Sequence, residues 1–181
     1  MFNKVTPDIV SSLKEIAGNE NVFIDADSIQ NYSHDYTEDF SFPPEVVVKP
    51  SNTDEVSSIL KLANEYKIPV VPRGGGTGLS GGALPLYGGI CLSMERFKKI
   101  IEIDEENFQA VVEPGVITQV FQEECEKRNL FYPPDPASRG SCFLGGNLAE
   151  CSGGPKAVKY GVTKDYVLGL EFVTVSGEII N

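Results

Sequence analysis

Arg73-Gly-Gly-Gly-Thr-Gly-Leu-Ser-Gly-Gly82 holds six glycines in ten positions. Such density costs conformational entropy and calls for a physical reason. Backbone without Cβ can approach a ligand closely and aim successive N–H groups at an anion. The stretch follows an apolar run, Ile68-Pro-Val-Val-Pro72, and Arg73 opens it with a cation. Together these features favour a phosphate cradle over a mobile surface turn. Gly76-Thr-Gly-Leu-Ser-Gly81 formally satisfies the dinucleotide fingerprint G-x-G-x-x-G. That fingerprint needs a following helix, whose N-terminus receives the pyrophosphate. Here Gly82-Ala-Leu-Pro-Leu-Tyr-Gly-Gly89 follows, which makes no normal helix. A P-loop is excluded as well, since no Gly-Lys-Ser/Thr succeeds the glycines.

Upstream of the loop, Glu45 to Lys49 is β-branched and ends at Pro50, which reads as a strand. Thr53 then caps a helix running to about Lys67, with Val56, Ile59, Leu60 and Ala63 inward. Strand, helix and the 68–72 strand form a βαβ unit whose strands are parallel. Residues 7 to 17 show helical spacing stopped by Gly18, while 21 to 42 lack a period and read as a surface segment. Downstream, 89–94, 99–103 and 109–113 are β-like, the last two joined as a hairpin. Residues 117 to 128 read as a helix and 167 to 175 as a strand, with a turn at 176–178.

A second loop, Tyr132-Pro-Pro-Asp-Pro-Ala-Ser-Arg-Gly-Ser-Cys-Phe-Leu-Gly-Gly-Asn147, combines three prolines with polar side chains and two glycines. Asn147 to Gly154 after it suits one short helical turn. Two rigid glycine-bearing loops fit a long ligand with a phosphate middle and a flat aromatic end, although the second alone is equally an ordered connector. Fifteen basic against 26 acidic residues give a net charge of −11, which argues against nucleic acid as a partner. No apolar run could span a bilayer, and the N-terminus lacks the pattern of a secretory signal. Cys91, Cys125, Cys142 and Cys151 show no C-x-x-C spacing and read as free thiols in a reducing cytoplasm. The single histidine, His34, leaves no basis for a histidine-rich metal site.

These motifs, with Glu113-Pro-Gly115, Ser152-Gly-Gly154 and Lys159-Tyr-Gly161 in matching order, resemble the FAD-binding domain of FAD-linked 2-hydroxyacid dehydrogenases. That is the glycolate oxidase subunit and D-lactate dehydrogenase group, which shares its FAD fold with p-cresol methylhydroxylase and vanillyl-alcohol oxidase. The resemblance covers residues 30 to 181. It implies an α+β fold of two lobes with FAD extended between them. The N-terminal helix and surface segment would occupy 1–41, the first lobe about 42–110 and the start of the second about 111–181. The second lobe is expected to be incomplete and the substrate cap domain absent.

Carried over, Arg73, Gly74, Gly75, Gly76, Thr77, Gly78, Leu79 and Ser80 would enclose the pyrophosphate. Pro134, Asp135, Pro136 and Ser138 would lie along the FAD, nearer the flavin. Ser141, Gly145, Gly146, Asn147, Ala149, Ser152, Gly153 and Gly154 would continue the cradle, with Gly161 at the nucleotide half. The first loop contains no histidine for covalent attachment, so the resemblance implies noncovalent FAD. It implies oxidation of a small 2-hydroxy acid such as glycolate or D-lactate by the whole protein. Electrons would pass to an acceptor protein or iron–sulfur subunit, in the cytoplasm or held at the membrane edge by partners. No catalytic residue is expected within these 181 residues, nor activity from them alone. Other flavoenzymes on the same domain, and a non-catalytic FAD-binding or interaction module, are the alternatives.

Overall fold

The first helix is α1, Pro7–Ala17, whose start and stop are both written in side chains. Thr6 caps it by accepting from the Ile9 N–H, Pro7 occupies the first turn, and Gly18 ends it at positive φ. A computed structural model describes residues 2–37 and 39–181 and divides them into two compact units. The first holds the described residues up to Arg96 together with Gly169–Asn181, and the second is Phe97–Leu168.

In the first unit, β1 (Val22–Phe23), β2 (Val46–Val48), β3 (Val70–Arg73) and β4 (Ile90–Ser93) form one sheet in the order β1-β2-β4-β3. The β2, β4 and β3 strands run parallel, while β1 pairs antiparallel with β2. Thus β2, α3 (Thr53–Glu65) and β3 make the expected βαβ unit, with β4 inserted between its strands. Alternation sends Val46, Val48, Ile90 and Leu92 to the α1 and α3 side, against Leu13 and Ile59. Val47 and Cys91 face the opposite side, against Tyr32. Both faces of these strands are covered, which accounts for their unbroken apolar sequence.

Several expectations need correction. Asn52, not Thr53, caps α3, because its side chain accepts from the Glu55 N–H. Residues 21 to 42 are not merely superficial. They contribute β1, a short helix α2 (Ala26–Gln30), and buried Tyr32, Ser33 and Asp35. The C-terminal stretch forms no long strand. Only Phe172–Val173 (β7) and Ile179–Ile180 (β8) pair, around a turn at Gly177. This hairpin belongs with the first unit, where the buried Ser57 hydroxyl donates to the Gly177 carbonyl at 2.6 Å.

The second unit begins with the antiparallel hairpin β5 (Ile100–Asp104) and β6 (Gln109–Val112), turned by Asp104 accepting from the Glu106 and Asn107 N–H groups. The packing boundary after Arg96 places this hairpin in the second unit. Helix α4 (Thr118–Glu126) packs Phe121 and Cys125 against Val116 and Leu144. The long second loop is more ordered than its composition suggests. Helix α5 (Leu144–Glu150) starts before Asn147 and ends at Cys151 in the left-handed region, and α6 (Ala157–Tyr160) follows. No helix among the described residues is long and apolar enough to cross a membrane.

Candidate functional site

The glycine loop is the connection from β3 to β4, and no helix forms in it among the described residues. The formal dinucleotide fingerprint therefore has no helix N-terminus to offer. Arg73, at the carboxyl end of β3, is buried beneath the loop rather than extended above it. Its Nη2 donates to the His34 carbonyl at 2.8 Å, and its guanidinium lies 5.5 Å from the centre of the Tyr32 ring. Gly76 sits directly on that guanidinium at φ +66°, where any added Cβ would overlap it. Gly78 differs: a Cβ there meets nothing within 4 Å. Gly74, Gly75, Thr77 and Leu79 donate no hydrogen bond among the described residues, and Leu79 and Ser80 are exposed.

The loop is backed by the segment after α2, which sequence periodicity did not single out. The Tyr36 N–H donates to the Gly78 carbonyl at 3.1 Å, and Arg73 reaches His34 as described. Below it, Lys49 and Glu95 lie just past the ends of β2 and β4 and pair at 2.8 Å. Tyr32 donates to the other Glu95 oxygen at 2.6 Å, and its ring lies 5.3 Å from the Lys49 ammonium. Burial works against the Glu95 charge, but hydrogen bonds from Lys49 and Tyr32 outweigh it and hold the carboxyl below its usual range. Burial likewise opposes the Lys49 charge, and its bonds to Glu95 and Tyr32 outweigh that and hold its ammonium above the usual range. Lys49, Arg73 and Glu95 thus gather at the carboxyl ends of the parallel strands, where open α/β sheets place ligands. Their positions directly after three apolar runs were the available signal.

In the second unit, Pro134 is fully buried and its carbonyl accepts from the Gln122 amide at 2.8 Å. Asp135 is buried, and its carboxylate faces Lys156 at 3.2 Å and Arg139 at 3.9 Å. The Pro136 carbonyl accepts from the Arg139 N–H, and the Ser138 carbonyl from the Ser141 and Cys142 N–H groups, so 136–142 is a tight turn. Asn147 is buried inside α5 and donates to the Thr118 hydroxyl, which also contacts the Cys142 sulfur at 3.2 Å. The side chains of Asp135 and Asn147 are therefore engaged in holding the loop itself.

Gly145, Gly154 and Gly161 are required internally: an added Cβ would strike Pro114, the Asp135 carbonyl and the Asp165 carboxylate respectively. Gly153 packs on Val162 and Ala157, and the Ser152 carbonyl accepts from Thr163. Gly146 faces open space, and Ser141 and Ala149 are exposed. Tyr132 is half-buried beside Phe121, and burial pushes its phenol up to about 12, so it stays neutral. All four cysteines are unpaired, and burial pushes the Cys91 thiol up to about 12, which removes it as a nucleophile.

Among the described residues the loop therefore presents unengaged N–H groups at Gly74, Gly75, Thr77 and Leu79, an open position at Gly78 and a buried guanidinium whose Nη1 has no partner. This donor set fits a phosphate-bearing cofactor. Residues 44–181 match the family model described as an FAD binding domain. The chain belongs to this FAD-binding family. It is 46% identical to the glycolate oxidase subunit GlcD of Bacillus subtilis over 177 residues, 97% of this chain and 37% of that protein. It is 41% identical to a D-lactate dehydrogenase of Anaerostipes hadrus over 180 residues, 99% of this chain and 38% of that protein. Among solved structures it is similar to p-cresol methylhydroxylase, with a TM-score of 0.84 and 26% identity over 99% of this chain and 36% of that one. The α+β fold is thus of p-cresol methylhydroxylase type. The FAD-binding chain spans a little over a third of the length of these curated relatives.

Proposed function

We propose that this chain is the cofactor-holding part of an oxidoreductase acting on a small 2-hydroxy acid such as glycolate or D-lactate. The observation that carries the reading is the high identity to a glycolate oxidase subunit and a D-lactate dehydrogenase across nearly the whole chain. When bound, FAD supplies the two-electron redox chemistry. The protein's own contribution is binding and orientation. In this reading the N–H groups of Gly74 to Ser80 take the pyrophosphate, with Gly78 allowing close approach and Gly76 letting the loop settle on Arg73. Arg73 holds the loop in shape and adds positive charge beneath it. Pro134, Pro136 and Ser138 shape the turn leading to α5, whose open position at Gly146 admits the cofactor. Asp135, Asn147, Gly145, Gly153, Gly154 and Gly161 act by fixing that segment, with Ser141, Ala149 and Ser152 at its margin.

We propose noncovalent attachment. The loop contains no histidine, and His34 lies outside it, with Ser33 Oγ 3.5 Å from its Nδ1. An electron-acceptor protein or iron–sulfur subunit as partner belongs to the same proposal, supported by the relative's being named a subunit. A cytoplasmic setting agrees with the four unpaired cysteines. The likeness to p-cresol methylhydroxylase supports a second reading, a different flavoenzyme chemistry on the same domain.

Purified protein is expected to carry flavin absorbance or to melt at a higher temperature when FAD is added. Full-length protein is expected to bleach its flavin anaerobically with D-lactate or glycolate. Colourless protein with no FAD-dependent stabilisation would refute cofactor binding. Flavin that resists 2-hydroxy acids but is reduced by a phenol would favour the second reading.

A further inference from the structure

The Tyr32 ring is bracketed by two cations at the carboxyl edge of the first sheet. The Arg73 guanidinium lies 5.5 Å and the Lys49 ammonium 5.3 Å from its centre, both within cation–π range. The tyrosine is itself immobilised. It is buried, it packs on Val47 and Cys91, and its hydroxyl is fixed by Glu95 at 2.6 Å. Arg73 in turn touches the loop where it has least freedom, directly under Gly76. The guanidinium thus lies near the Tyr32 ring, and Nη2 donates to the His34 carbonyl. Nη1 is buried and has no partner among the described residues.

We propose that Tyr32 is a positioning residue for cofactor binding, acting through Arg73 on the glycine loop. The ring holds the guanidinium in place, the guanidinium supports Gly76, and the loop's N–H groups keep their arrangement before FAD arrives. Preorganisation of this kind raises affinity by removing an ordering cost from the binding step. It also explains why Arg73 is buried although an anion-binding arginine is usually drawn toward its ligand: Nη2 is engaged by His34 and the guanidinium by Tyr32 and Gly76, and its charge acts from beneath.

The inference rests on the FAD reading, and the experiment separates the two. FAD affinity and cofactor-free melting temperature are measured for the wild type, Tyr32→Phe, Tyr32→Leu, Arg73→Lys and the double variant Tyr32→Leu with Arg73→Lys. Tyr32→Phe keeps the ring and is expected to retain most of the affinity. Tyr32→Leu is expected to weaken FAD binding roughly tenfold, the scale of a desolvated cation–π contact. The double variant is expected to bind no more weakly than Arg73→Lys alone, because the two residues act in series. A Tyr32→Leu protein that melts lower but binds FAD as the wild type does would reduce Tyr32 to core packing and overturn the proposal. If Tyr32→Leu fails to fold, a trifluorinated phenylalanine at position 32 keeps the shape and weakens the ring's attraction for cations. Affinity equal to that of Tyr32→Phe would then overturn the proposal. Wild-type protein that binds no FAD would overturn the cofactor reading and this inference together.

Discussion

Gly76 and Gly78 stand two residues apart and are glycine for opposite reasons. Gly76 is needed by the protein, since its φ of +66° and the guanidinium beneath it leave no room for a Cβ. Gly78 is not, because its Cβ position opens on empty space. Gly76→Ala should therefore destabilise the fold even without cofactor, by about 1–3 kcal/mol. Gly78→Val should leave the cofactor-free melting temperature nearly unchanged and abolish tight FAD binding. Thermal melts with and without FAD distinguish the two, and a Gly78→Val protein with wild-type affinity would remove the loop from the pyrophosphate. Composition could not make this distinction. Six glycines in ten positions announce a backbone that must come close to something. Whether that neighbour is a ligand or the protein's own arginine depends on φ and on what packs beneath. Asp135 and Asn147 carry the same lesson, because the polar side chains most suggestive of ligand contact are engaged by Lys156 and Thr118.

At the scale of elements, the helices and parallel strands were readable because periodicity and caps are local. Helix α1 matches its expected bounds, and α4 lies within its expected span. The segment between α1 and β2 was not readable. Its strand is two residues long and takes meaning only from pairing with β2, and Tyr32 is buried by tertiary packing rather than by any pattern. The cluster joining this segment to the sheet can be tested by pH. The Glu95 carboxyl is held below its ordinary value of 4.5, so its contribution to stability is fully present above that value and is lost as pH falls through the folded one. Lys49→Met removes the cation responsible. The variant should melt lower near neutral pH by about 1 kcal/mol, or roughly 2–4 °C, since both groups are partly solvated. The gap should close as pH falls below 4.5 and through the lower folded value, until the carboxyl is protonated in both proteins. Lys49, held above its ordinary value of 10.5, loses its contribution only as pH rises beyond that value. A gap of constant size from acid to neutral pH would mean that the lysine acts through packing of its stem.

On the scale of the whole molecule, the two units differ in how their chain is gathered. The second is one continuous stretch, whereas the first is closed by a C-terminal hairpin that returns to α3 through Ser57 and Gly177. Within the first unit, β4 enters between two strands that precede it, and the segment that delivers it is the glycine loop. Parallel neighbours are ordinarily joined by a crossover helix, which prepays part of the closure by local hydrogen bonding. Here the crossover is a glycine-rich loop without a helix, so its ordering falls on the step that completes the sheet. The loop that receives the cofactor is therefore also the segment whose ordering closes the sheet. If the loop is ordered at the folding barrier, refolding should accelerate as FAD concentration rises, and stopped-flow refolding across an FAD series measures this directly. A rate independent of FAD, with only unfolding slowed, would place loop closure after the barrier. Where refolding does accelerate with FAD, the supply of flavin in the cell governs how quickly new chains escape the half-built sheet, and shortage of a redox cofactor is first felt as exposed strand edges and aggregation.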